Sequence, residues 1–233
     1  MVPMADPLRE RTHRFVPFAR WLTRLLLFLF SRWRLIGIER VPLEGPLLVV
    51  ANHQNNADPP ILVAMIPRVV HGMAKEELFQ GWVGVLSRWY GAFPVRRGTP
   101  DREAIRTALH YLEIGSAVAL FPEGTRSKTG LFQEGKVGAG LLALRSGATI
   151  LPMGIVGTGQ LKNPIEILKR PRIDIIIGEP FRLPPHIGGG KTAAAAEATE
   201  VIMRRIAELL PPEIRGPYAD PPEQLLSLVA EDA

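Results

Sequence analysis

Leu47 to Ala51, Ala117 to Phe121, Thr149 to Ile155 and Arg172 to Ile177 are short apolar runs, bounded by glycine, proline or polar residues. Runs of this length with little alternation fit strands covered on both faces. The segments between them carry helical spacing. Residues 59–66 predict a helix beginning just after Asp58. Residues 100–114 predict another, with Ile105, Leu109 and Leu112 on one face, Asp101 and Glu103 in its first turn and Gly115 past its end. Residues 135–145, closed by Gly147, and residues 192–210 predict two more. Strand and helix signals in alternation predict an α/β domain with a largely parallel central sheet flanked by helices.

The segment from Arg14 to Trp33 breaks this rhythm. Residues 25–30 are all Leu or Phe, while arginines stand at 14, 20, 24, 32 and 34. A spanning helix wants about 20 apolar residues with few charges, so this run is too short and too interrupted. Arg20, Arg24 and Ser31 share a face at helical spacing, and Phe18, Leu22, Leu25 and Leu29 form a broad face suited to a bilayer or a groove. The alternative is an amphipathic helix packed on its own domain. The residues that follow, Ser31-Arg32-Trp33-Arg34, lack the small-residue site of a cleaved signal peptide. The expected organisation is an amphipathic, membrane-anchoring segment at 1–34, one domain at 35–210 and a proline-rich tail at 211–233.

The 233 residues suit one sizeable domain, and 46% hydrophobic with 22% charged residues is an ordinary globular balance. Without cysteine the chain has no disulfides, thiolate metal sites or thiol nucleophiles. A net charge of +5 favours anionic partners. His13, His71, His110 and His186 are scattered without ligand spacing, so no metal site is expected.

Three polar segments sit where an open α/β sheet binds its ligands, just beyond strand ends. The first, Asn52-His53-Gln54-Asn55-Asn56-Ala57-Asp58, offers a base and a carboxylate to orient it, because imidazole titrates near neutral pH and a carboxylate can fix its tautomer. Asp58 before Pro59 also reads as a helix N-cap. The second, residues 91–98, carries Arg96 and Arg97, whose planar forks suit phosphate. The third, Phe121-Pro122-Glu123-Gly124-Thr125-Arg126-Ser127, combines a turn glycine, two hydroxyls and another arginine. Lys136 is a further cation, read either as facing the same site from a helix N-terminus or as a solvated lysine. Trp82, Trp89 and Tyr90 suit either a lipid interface or the core.

Together with residues 150–155, these segments resemble the ordered blocks of the glycerolipid acyltransferases, which include bacterial 1-acylglycerol-3-phosphate acyltransferases: a histidine and aspartate separated by four residues, a Gly-Phe-Arg block, a Phe-Pro-Glu-Gly block and a proline-bearing apolar block. The resemblance covers roughly residues 35–180. It implies that His53 deprotonates an acceptor hydroxyl, that Asp58 orients it, and that the oxygen attacks an acyl thioester with no acyl-enzyme. It also implies that Gly91, Phe93, Arg96, Glu123, Gly124, Thr125 and Arg126 hold the acceptor phosphate. A carboxylate would repel phosphate, so Glu123 is expected to buttress Arg96 or Arg126, or to accept an acceptor hydroxyl. Pro152 shapes the fourth block, and Gly154 stands where relatives often carry a larger small residue, which bears on the depth of the acyl pocket.

The implied activity is acyl transfer from acyl-CoA or acyl carrier protein to 1-acylglycerol 3-phosphate, giving phosphatidate, with no cofactor, at a membrane surface on the cytoplasmic face. The same mechanism could serve glycerol 3-phosphate, another lysophospholipid or an alcohol. A non-enzymatic basic protein binding membrane or nucleic acid is the remote alternative, and the sequence lacks basic–aromatic interleaving or a reading helix for nucleic acid.

Overall fold

A computed structural model describes residues 7–96, 101–161, 164–184 and 190–219. Seven strands form one sheet: β1 (Arg32–Ile36), β2 (Leu47–Ala51), β3 (Val70–Lys75), β4 (Phe93–Val95), β5 (Ala117–Leu120), β6 (Thr149–Val156) and β7 (Arg172–Ile177). Their spatial order is β1-β7-β6-β2-β5-β3-β4. Neighbours are parallel except β6 and β7, so β1 and β7 run against the other five.

The helices are α1 (Pro7–Phe30), α2 (Asp58–Met65), α3 (Gly81–Trp89), α4 (Arg102–Glu113), α5 (Gly138–Ser146) and α6 (Lys191–Ala207). They divide the core into two layers. Val49, Ala51, Ala119, Met153 and Ile175 point towards α1 and α2. Leu48, Val50, Val118, Leu120 and Ile150 point towards α4, α5 and α6. Every residue of β2 is buried, as expected of a central strand covered on both faces.

The apolar runs became β2, β5, β6 and β7, and the helices expected after Asp58, Pro100, Gly135 and Lys191 became α2, α4, α5 and α6. The first residue expected for α4, Pro100, lies outside the described residues. Two strands were missed because they lack apolar runs. β1, Arg-Trp-Arg-Leu-Ile, is an edge strand alternating exposed with half-buried positions, and it crosses the expected boundary at residue 34. β3 is buried only at Val70 and His71.

The N-terminal helix both packs and exposes an apolar face. Val16, Ala19, Thr23 and Leu27 are buried against the domain. Arg24 and Arg20 do not stand on a solvent face: Arg24 Nε donates to the Ala64 carbonyl of α2 at 3.1 Å, and burial followed by the nearby Arg24 charge lowers the Arg20 pKa. Leu22 and Leu25 are half-buried. The exposed apolar side chains are Phe18, Trp21, Leu26, Phe28, Leu29 and Phe30. Trp89 and Tyr90 pack on Phe15, whereas Trp82 of α3 is 74% exposed. No described helix is long and apolar enough to cross a membrane.

Candidate active site

The parallel strands deliver the three polar segments to one edge of the sheet. Asn52 and His53 leave the carboxyl end of β2, Phe121 to Ser127 leave the neighbouring β5, and Arg96 leaves β4. Side-chain alternation puts His53 on the α1/α2 side, where the carboxylate of Asp58 also lies.

His53 Nδ1 is 2.9 Å from Asp58 Oδ2, and both side chains are buried. The same carboxylate oxygen accepts the amides of Gln54 at 2.7 Å and Asn55 at 2.6 Å. Asp58 is therefore not the N-cap that its position before Pro59 suggests. The helix starts at Asp58 itself, with Ala57 as the capping residue. Pro59 and Pro60 have no N–H, and the Ile61 amide already donates to the Ala57 carbonyl at 3.1 Å. A carboxylate here has no helix donors to satisfy, so it folds back onto the loop and the histidine. Its place in the first turn also sets its charge at the positive end of the helix.

The imidazole stacks on Phe121 with centroids 4.2 Å apart and 21° between planes. With Nδ1 held by Asp58 and one face covered, Nε2 is the nitrogen left to meet an acceptor.

Glu123 braces neither arginine. Its Oε1 accepts the His53 amide at 2.6 Å, and its Oε2 accepts the amide and side chain of Gln133 at 3.0 and 3.1 Å. Burial raises its pKa to about 7 against the opposing hydrogen bonds from His53 and Gln133, and the Asp58 charge adds to the rise. Gly124 follows with φ +71°, a conformation costly for a residue with Cβ, and a Cβ there would meet Lys136 Cγ at 3.2 Å. The stem of Lys136 thus lies over the turn, anchored by its amide to the Pro122 carbonyl at 2.8 Å.

Thr125 and Arg126 are exposed at this turn, and Arg126 makes no ion pair among the described residues. The next residue, Ser127, donates its amide to the His53 carbonyl at 2.9 Å, which sets Arg126 beside the histidine loop. Arg96 stands three strand spacings away, about 14 Å at roughly 4.8 Å per strand. Gly91, with φ +78°, turns the chain out of α3 into β4, where Phe93 is buried in the opposite core layer. Phe93 and Gly91 thus shape the strand that carries Arg96. Arg97 lies outside the described residues.

A family model described as Acyltransferase matches residues 32–156, more than half of the chain. The 1-acyl-sn-glycerol-3-phosphate acyltransferase of Bacillus subtilis is 30% identical over 188 residues, covering 80% of this chain and 92% of that protein. The chain belongs to the glycerolipid acyltransferase family. The crystal structure of the 1-acyl-sn-glycerophosphate acyltransferase from Thermotoga maritima aligns with a TM-score of 0.64 at 26% identity, over 89% of this chain and 84% of that one. A lyso-ornithine lipid O-acyltransferase of Pseudomonas aeruginosa is 33% identical over 161 residues, covering 66% of this chain and 57% of that protein.

For an acyltransferase of this family, Gly154 has a different bearing from the one expected. A Cβ there would meet Leu209 Cβ at 3.0 Å, so Gly154 packs beneath the end of α6, on the sheet face opposite His53, and does not set the depth of a pocket on the histidine side. Pro152 fits a central strand because its amide position lies on the β7 side, where β7 has already ended at Ile177 and only the Gly178 amide remains to meet the Pro152 carbonyl at 2.9 Å.

The roles of three site residues escaped sequence reading. Gln133 braces Glu123 as described. Asp101 caps α4 by accepting the amides of Glu103 and Ala104 and also accepts the Arg96 amide at 2.8 Å, and these bonds, Arg96 first, hold its carboxyl below the usual range. Asn52 fastens the histidine loop to β6. The double proline after Asp58 was the one readable signal, since it leaves a cap without donors.

Proposed function

We propose that the protein transfers a fatty acyl group from an acyl thioester to the free hydroxyl of 1-acylglycerol 3-phosphate, giving phosphatidate. The observation that carries this reading is the buried His53–Asp58 pair, 2.9 Å apart, beside the exposed guanidinium of Arg126 at the same sheet edge. His53 Nε2 takes the hydroxyl proton while Asp58 stabilises the imidazolium. The acceptor oxygen attacks the thioester carbonyl, the C–S bond breaks, and the departing thiolate receives the proton from His53. The donor is acyl-CoA or acyl carrier protein, used as co-substrate, and the thioester supplies the leaving group without any cofactor.

Arg126, with Lys136 over the same turn and Arg96 further along the edge, neutralises the acceptor phosphate. Glu123 and Gly124 act on that phosphate only through the shape of the turn. The exposed apolar side chains of α1, with Trp82, dock on the membrane from which a lysolipid is taken, so the protein works as a peripheral or monotopic protein of the cytoplasmic face. The likeness to a lyso-ornithine lipid acyltransferase motivates a second reading, the same chemistry on an acceptor with a different head group.

Arg126→Ala separates the two. A charge-assisted bond to phosphate is worth about 1.5–3 kcal/mol, so KM for lysophosphatidate should rise about 10- to 100-fold, with partial recovery in Arg126→Lys. An unchanged KM for lysophosphatidate, with faster turnover of a lyso-ornithine lipid, would favour the second reading.

A further inference from the structure

We propose that Asn52 is the positioning residue of the catalytic histidine, a role that rests on reading His53 as the base. β2 and β6 pair in register as far as Ala51 and Met153. At the next residue the main chain of β2 leaves the ladder, and the Asn52 side chain takes its place: Nδ2 donates to the Ile155 carbonyl at 2.8 Å and Oδ1 accepts the Ile155 amide at 2.7 Å. Asn52 is 1% exposed, and this two-bond ring spans 103 residues of sequence. Ile155 stands opposite Ile175 of β7 with its peptide groups turned to the β2 side, so without Asn52 a buried donor and acceptor would both lose their partners.

The substitution of side chain for main chain releases the loop that follows His53: the Gln54 amide, next in line for the Ile155 carbonyl, donates instead to Asp58 Oδ2 at 2.7 Å. The His53 amide, on the same alternation as that of Leu47, faces β5 and donates there to Glu123, while its carbonyl accepts Ser127. The histidine backbone is thereby hung between two neighbouring strands, with Asn52 as the tie on β6 and Glu123 as the tie on β5. Asp58 and Phe121 then fix the ring. Loosening the β6 tie lets the loop drift towards β5 and moves Nε2 relative to the acceptor held at Arg126. Only Asn supplies a donor and an acceptor at this reach. Asp offers two acceptors, one facing the Ile155 carbonyl, until it is protonated.

The test measures kcat and acceptor KM of the full-length protein for Asn52→Ala, Asn52→Asp and His53→Ala, with 1-oleoyl lysophosphatidate in mixed micelles and with both acyl-CoA and acyl-carrier-protein donors, each variant corrected for its folded fraction by circular dichroism. A displacement of about 1 Å costs on the order of 100-fold in rate. Asn52→Ala should therefore lose about 10- to 100-fold in kcat with acceptor KM within about 3-fold of wild type. Asn52→Asp should lose less as pH falls from 8 to 6, because its protonated carboxyl restores the donor to Ile155. If Asn52→Ala fails to fold, the isosteric Asp variant carries the same measurement through its pH-dependent ratio to wild type. A kcat within about 3-fold of wild type in the Asn52 variants, or a ratio for Asn52→Asp that does not move with pH, overturns the assignment while His53→Ala stays inactive. Activity surviving in His53→Ala overturns the base reading itself, and the Asn52 role with it.

Discussion

Replacing Asp58 with asparagine isolates the charge of the buried carboxylate from its geometry. Three donors meet Oδ2, namely His53 Nδ1 and the amides of Gln54 and Asn55. The two loop amides compel the asparagine to present its oxygen at that position, so the histidine keeps its tautomer and its ring orientation. The amide NH2 then falls where Oδ1 stands, which has no hydrogen-bond partner among the described residues. What is lost is the interaction of the carboxylate with the imidazolium that forms as the acceptor proton is taken. Two unit charges about 4 Å apart at an effective dielectric near 20 interact by about 4 kcal/mol. At about 1.4 kcal/mol per decade, kcat should fall on the order of 100- to 1000-fold. Asp58→Ala removes the acceptor as well, stranding the two loop amides at about 1–3 kcal/mol each. Its melting temperature should drop by roughly 4–24 °C, at about 2–4 °C per kcal/mol for a chain of this size. The Asn variant should melt within a few degrees of wild type. Both measurements use purified protein, with initial rates of phosphatidate formation and thermal circular dichroism. A kcat in Asp58→Asn within about 3-fold of wild type would refute the charge argument. An unshifted melting point in Asp58→Ala would refute the loop-bracing argument.

The Glu123 carboxyl, raised from 4.5 to about 7, binds its proton more tightly in the folded protein than in the unfolded chain. The stability it contributes is present below about pH 4.5 and is lost as pH rises through 7, by up to about 3 kcal/mol. Urea unfolding at pH 5, 6, 7 and 8 should show wild type losing stability relative to Glu123→Gln as pH rises, and a constant difference would contradict the linkage. On α1, Phe28→Asp and Trp21→Asp should each weaken binding to anionic vesicles about 10-fold without lowering the melting point, because both side chains are more than half exposed. By contrast, Leu27→Ala, buried on the same helix, should cost about 2–5 kcal/mol of stability. Vesicle flotation beside thermal melts checks both, and unchanged flotation of the Asp variants would argue against membrane docking by this face.

The central strands were legible because burial on both faces leaves apolar runs, as in Leu47 to Ala51, and the helices because Asp101 and Gly147 mark their ends. β1 was not legible. An edge strand whose outer positions are arginine carries no apolar run, and its place beside β7 is decided 140 residues away in sequence. The identity of the site residues was readable, but not their division of labour. Glu123 looked like a partner for arginine because charge pairing is the usual fate of a carboxylate, yet it satisfies amides of its own loop and of the histidine. The α1 face was misassigned because Arg24 is drawn to the Ala64 carbonyl of α2 and Arg20 is partly buried beside it, which helical spacing cannot foresee.

The claim that His53 is the base is tested most directly by mass spectrometry of the products formed from lysophosphatidate and a labelled acyl thioester by wild type and His53→Ala. Wild type should convert lysophosphatidate to labelled phosphatidate, and His53→Ala, folded and still binding vesicles, should form at least 1000-fold less per unit time. Phosphatidate formed by the alanine variant at a rate near that of wild type would contradict the account.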